Sequence, residues 1–161
     1  MRTRIIPFMS VIAIASACFA ADPLITDVSD PKAIISTLKE KAPRISDVAL
    51  KFSKIPAVLT GKTYVCVTRG EREKAGQGFS FTAAKSGTIY LFVMVRGKAS
   101  VPPEWTKTDM TAQFMFDTAA FDDIIYKRSV KAGEKVIVPP HNGTDGNTYG
   151  TPNACAIVPE E

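Results

Sequence analysis

Nine consecutive residues, Thr88 to Arg96 (TIYLFVMVR), constrain this chain more than any other segment. Successive side chains of an extended backbone point to opposite faces. Ile89, Leu91, Val93 and Val95 therefore share one face, and Tyr90, Phe92 and Met94 the other. A strand in a two-layer sandwich should show one polar face unless something covers it. The cover on the second side would be a helix or a loop. Without it, the Tyr90/Phe92/Met94 strip is an exposed apolar surface open to a ligand or a partner.

Around this segment the chain reads as short strands separated by turns. Val48, Leu50 and Phe52 alternate with Ala49 and Lys51, and Lys62 to Thr68 is rich in strand formers. Phe79-Ser80-Phe81 leads through Lys85-Ser86-Gly87 into the central run, the pattern of a hairpin. Gln113 to Phe116, Ile124 to Lys131, Lys135 to Val138 and Ala154 to Val158 are further strand candidates. Before them, Ser29-Asp30-Pro31 matches a helix start, and Ile34, Ile35, Leu38 and Ala42 follow at helical spacing. Nothing alternates as βαβ, so a parallel α/β sheet is not the expected architecture. The expected fold is all-β, an antiparallel β-sandwich of jelly-roll or immunoglobulin-like type with one short N-terminal helix. Residues 21–45 would form an arm carrying that helix, and residues 46–161 the sandwich.

The first twenty residues stand apart. Arg2 and Arg4 precede an apolar stretch from Ile5 to Ala17, and Cys18-Phe19-Ala20 places small residues where a signal peptidase reads. That pattern marks a secretory signal peptide, and the run is too short to span a bilayer before Asp22 and Pro23. The expected location is secreted or periplasmic. Ala15-Ser16-Ala17-Cys18 also resembles a lipoprotein signal, with Cys18 as the lipidated residue, although that box usually opens on Leu, Val or Ile. Removing residues 1–20 takes Arg2 and Arg4 from the 20 basic residues, leaving 18 against 16 acidic ones and a net charge of +2. So small a charge gives no steering toward nucleic acid. The 45% hydrophobic content excludes a disordered chain. Cys66 and Cys155 remain, and in an oxidising compartment they are read as a disulfide closing a loop of about 90 residues, worth on the order of 4–5 kcal/mol in the chain-entropy picture.

Catalytic signatures are missing. His141 lies in a Gly- and Pro-rich loop without a nucleophile motif, the setting of a solvated surface histidine. Asp109, Asp117, Asp122 and Asp123 contain no evident pair for glycoside hydrolysis and read as surface carboxylates. His141 to Asn147 collects oxygen donors suited to calcium, but without EF-hand spacing and in residues that ordinarily make turns. Asn142-Gly143-Thr144 fits a glycosylation sequon. No catalytic residue, metal site or cofactor is therefore assigned. Trp105, in Pro102-Pro103-Glu104-Trp105-Thr106 just beyond the central run, either plugs the open end of the core or offers a flat apolar face to a sugar. In the second case Arg96, Tyr90 and Arg69 would complete the site.

An ordered set of segments carries a resemblance. It comprises Ile55 to Val65 (IPAVLTGKTYV), Phe79-Ser80-Phe81, Thr88-Ile89-Tyr90-Leu91, Arg96, Pro103-Glu104-Trp105, and Ile125-Tyr126-Lys127-Arg128 through Ala132-Gly133-Glu134-Lys135-Val136. Together they resemble a β-sandwich accessory domain of secreted bacterial proteins, often attached to polysaccharide-degrading modules. In that group acidic residues commonly follow the two strands that here end in Val67-Thr68-Arg69 and Met94-Val95-Arg96. The resulting expectation is a non-catalytic exported module binding extracellular or cell-envelope carbohydrate. The alternative is a periplasmic protein-interaction or inhibitor module with an envelope protein as partner.

Overall fold

A computed structural model describes residues 23–143 and 149–161. The segment read as a signal peptide, with Cys18, and most of the calcium-like loop lie outside the described residues. Ten strands follow in chain order: β1 (Ile25–Thr26), β2 (Ile34–Thr37), β3 (Lys51–Lys54), β4 (Thr63–Cys66), β5 (Phe79–Ala83), β6 (Gly87–Met94), β7 (Thr106–Phe116), β8 (Ala119–Val130), β9 (Lys135–Val138) and β10 (Ala154–Pro159). They form two antiparallel sheets, one ordered β1-β5-β9 and the other β2-β4-β10-β6-β8-β7-β3. The β-sandwich expected from the alternating pattern is the fold observed.

The central run is β6, third of the inner strands in the larger sheet, and both its faces are covered. Ile89, Leu91 and Val93 meet Phe79, Phe81, Val136 and Val138 of the smaller sheet, with Val65, Val67, Cys155 and Ile157 beside them. Each such side chain, fully buried, contributes roughly 1.5–3 kcal/mol. On the opposite face Phe92 and Met94 pack with Leu38, Ala42, Ile45, Leu50, Phe52 and Leu59. The larger sheet curls to make this contact. Phe52 sits on its edge strand, yet its ring lies 5.5 Å from that of Phe92 and 6.0 Å from that of Tyr64, both edge-on.

The expected N-terminal helix is not formed. Asp30 Oδ1 accepts from the Lys32 N–H and the Ala33 N–H reaches the Asp30 carbonyl, so a capped turn closes. It goes no further, because Ile34 to Thr37 pair with Cys66 to Thr63 along the open edge of β4. The β-branched residues Ile34, Ile35 and Thr37 suit that edge better than a helix. The only helical element among the described residues is a 3₁₀ turn at Ala57–Leu59.

The hairpin expected between Phe79 and Arg96 is also absent, since β5 and β6 belong to different sheets. Lys85-Ser86-Gly87 carries the chain across the sandwich. Gly87 meets β10 so closely that a Cβ there would lie 2.3 Å from the Val158 carbonyl oxygen.

Both cysteines are buried free thiols, which corrects the expected disulfide. They lie on neighbouring strands, but Cys155 is opposite Val65, one residue from Cys66. That single-residue offset sends the two side chains to opposite faces of the sheet, Cys155 into the sandwich core and Cys66 into the outer one. Burial pushes the Cys66 thiol up to about 11 and raises that of Cys155 further.

Candidate functional site

Antiparallel pairing gathers one set of residues at one end of the larger sheet. β4 and β6 both run antiparallel to β10, so both point the same way. Arg69 and Arg96, just past their C-terminal ends, therefore arrive at the same rim. β10 starts there, with Pro152 and Asn153 between it and the segment Tyr149 to Thr151. β8 also starts there and β7 ends there, because Phe116 pairs with Ala119 across a tight turn. β3 begins there as well, with Lys51 opposite Met115.

These ends enclose a cleft of about 280 Å³. Its floor is apolar, formed by Val48, Leu50, Met94, Phe114 and Phe121, with Phe116 at the rim. Phe114 and Phe121 stack at 5.3 Å, and Phe116 is 52% exposed, so the cleft opens beside a solvent-facing ring. Arg69, Arg72 and Arg96 stand around Tyr149. The guanidinium of Arg96 lies 4.9 Å from the Tyr149 ring centre and 5.9 Å from that of Phe121. Arg72 lies 5.7 Å from the Tyr149 ring centre, and Arg69 Nε donates to the Tyr149 carbonyl at 2.6 Å.

Two loops hold this arrangement. The Gly70 N–H donates to the Gly150 carbonyl, and the Gly150 N–H donates to the Lys74 carbonyl. Gly150 adopts φ +66°, and a Cβ on it would meet the Glu71 carbonyl oxygen at 2.5 Å. Only glycine fits, so the loop carrying Arg72 and the segment carrying Tyr149 close on each other. Beneath the floor, Arg44 and Asp123 form a fully buried ion pair with two contacts of 2.9 and 3.0 Å. Arg44 also donates to the carbonyls of Pro152 and Phe92, and its guanidinium lies 5.2 Å from the centre of the Phe114 ring. Asp123 is therefore not the surface carboxylate expected, and Arg44, within the segment read as an arm, is part of the core.

The four residues named from the sequence as a binding group separate. Arg69 and Arg96 meet in the cleft. Trp105 is 4% exposed, on the sandwich side of the sheet, with the Arg128 guanidinium 5.1 Å from its ring centre. It closes the core and offers no face to a ligand. Tyr90 is half-buried against the outer core, away from the cleft lining. The Tyr90/Phe92/Met94 strip is not exposed, since Phe92 and Met94 are buried. Arg72, Phe116, Phe121 and Tyr149 were not anticipated. The charged loop from Arg69 to Gly78 was the available signal for the first, and the other three depend on strand pairing.

His141 is also misjudged as a surface residue. It is fully buried, with Nε2 at 2.9 Å from the Met94 carbonyl oxygen and its backbone N–H donating to Gly76. Among the described residues no group of three or more His, Cys, Asp or Glu is placed to hold a metal ion. Asn142 Oδ1 is engaged by the Ser100 N–H, and residues 144–147 of the calcium-like loop lie outside the described residues.

No protein-family model matches the sequence, and no curated protein matches it. The fold is similar to part of a β-glucuronidase from glycoside hydrolase family 2, with a TM-score of 0.64 at 16% identity over 83% of this chain. A GH138 enzyme targeting pectin rhamnogalacturonan II aligns over 84% of the chain at 15% identity, with a TM-score of 0.46. The chain spans 14% of the first protein and 17% of the second.

Proposed function

We propose that this chain is a non-catalytic, exported module that binds carbohydrate in the cleft around Tyr149. The observation that carries this reading is the pairing of aromatic surface with fixed donors at one rim. Phe116, Phe121 and Tyr149 offer rings to the C–H face of a sugar, while Arg69, Arg72 and Arg96 offer N–H groups to its oxygens. A fold shared with a domain-sized part of a β-glucuronidase supports a carbohydrate setting. Among the described residues, those lining the cleft include no Asp or Glu, the residue types that glycoside hydrolysis uses. Export rests on the N-terminal pattern Arg2 to Ala20.

The test is a glycan array probed with the wild type, Phe121→Ala and Arg96→Ala. Binding by the wild type that both substitutions weaken is expected. No bound glycan, or a signal indifferent to both changes, would overturn the reading. Trp105→Ala, the substitution suggested by sequence alone, is expected to leave any glycan signal in place wherever the protein remains folded.

A further inference from the structure

The five described arginines divide into two groups. Arg44 and Arg128, outside the cleft, each hold a carboxylate: Asp123 at 2.9 Å and Glu134 at 2.7 Å. Arg69, Arg72 and Arg96, inside it, hold none among the described residues. Asp47 is near Arg69 but accepts from its backbone N–H, and Glu71 is taken by Lys74. Arg69 donates through Nε to the Tyr149 carbonyl, and its two terminal nitrogens make no hydrogen bond among the described residues. Arg72 and Arg96 approach a single ring, at 5.7 and 4.9 Å from its centre. Their separation is thus at most the sum of those lengths, comparable to the roughly 8 Å screening length at physiological salt. Like charges held that close repel, and no carboxylate among the described residues pairs with them. A guanidinium held against an aromatic ring keeps its N–H edge for a planar or tetrahedral oxyanion.

We propose, building on the carbohydrate reading above, that the cleft selects a saccharide bearing an acidic group, a uronate carboxylate or a sulfate ester. The acid sits between Arg69, Arg72 and Arg96, and the apolar face of its ring packs on Phe121 and Phe116. Neutral saccharides meet the rings and the N–H donors but leave the charges uncompensated.

The test titrates the full chain with four probes: an oligosaccharide of glucuronic acid, the same oligosaccharide with its carboxyl groups reduced to alcohols, a sulfated neutral oligosaccharide, and poly-glutamate. The uronate or the sulfated probe is expected to bind at least about tenfold tighter than the reduced one, with an affinity that falls as salt rises. Arg72→Gln/Arg96→Gln should lower the affinity for the acidic probes to that for the reduced one, removing both the preference and its salt dependence. Preference for the sulfated probe alone supports the proposal and assigns the acid as a sulfate. Equal binding of the reduced and acidic probes overturns the acidic selectivity and leaves the carbohydrate reading standing. Binding of poly-glutamate with no saccharide bound overturns both, as does binding of nothing.

Discussion

The two faces of the seven-stranded sheet are built differently. The face inside the sandwich is closed by a second sheet and filled almost wholly with apolar side chains, Trp105 among them. The outer face is covered by the chain from Leu38 to Leu59, which is irregular apart from β3 and one 3₁₀ turn, contains a fully buried ion pair, and opens at one rim into the cleft. The first face needs only volume and the right parity of side chains. The second depends on a specific charge pair and on loops that glycine allows to close. Function on this chain is therefore expected on the less regular face, where side chains are positioned by named contacts and one edge remains accessible.

The largest expected effect tests the ion pair. Arg44→Ala leaves Asp123 buried without a partner and should cost about 3–5 kcal/mol in urea unfolding. Arg44→Met with Asp123→Leu should recover much of that loss, because replacing both charges removes the desolvation cost. A single substitution costing under about 1 kcal/mol would show that the outer face is no more specific than the inner one.

Next comes the closed face. Trp105→Ala should destabilise by roughly 3 kcal/mol through the cavity it leaves. Trp105→Phe should cost less than about 1.5 kcal/mol, because the buried indole N–H has no hydrogen-bond partner among the described residues and nothing polar is lost. A large loss from Trp105→Phe would mean that the donor is engaged, and the face is not purely apolar.

A smaller effect separates the two cysteines. Both thiols should resist alkylation at pH 8 in the native protein and react once it is denatured, since burial raises both well above ordinary thiols. Finding no free thiol after denaturation would contradict their placement on opposite faces. Cys155→Ser should cost about 1–3 kcal/mol, as a hydroxyl replaces a thiol in an apolar setting.

The smallest effect concerns Asp30, at the edge where the expected helix gave way to a strand. Burial works to raise its carboxyl, but hydrogen bonds from the Thr68 backbone and hydroxyl and from the Lys32 backbone outweigh it, holding the group below its ordinary 3.8. A folded value below the unfolded one stabilises the protein above the unfolded value, and that stability is lost as pH falls through the folded one. Asp30→Asn should therefore flatten the loss of stability below about pH 4. An unchanged acid limb would show that the Thr68 contact contributes nothing.

Legibility followed the same division. Alternation in Val48 to Phe52, Phe79 to Phe81 and the central run was enough to place strands, because parity is a local property. The helix was misread because Ile34, Ile35, Leu38 and Ala42 fit helical spacing and a capped turn does form at Asp30. An open strand edge at β4 then decided the outcome. The disulfide was misread because a cysteine count has no parity, and a one-residue offset between paired strands reverses the face. Of the four proposed binding residues, Arg69 and Arg96 converge because two strands parallel in direction end at the same rim. Trp105 and Tyr90 do not, since nothing local distinguishes a ring that seals a core from one that meets a ligand.

What this sequence determined by itself is the class of fold. A strand apolar on both faces, set among short alternating strands and turns, calls for cover on both sides and argues against a parallel α/β sheet. Tertiary structure decided which face was closed by a sheet and which by mostly irregular chain. It also decided which charges were buried in pairs and which three arginines were left together around one tyrosine. Periodicity is written into neighbouring residues. Pairing of Arg44 with Asp123, or of Arg96 with Tyr149, joins positions far apart in the chain and exists only once the strands are in register.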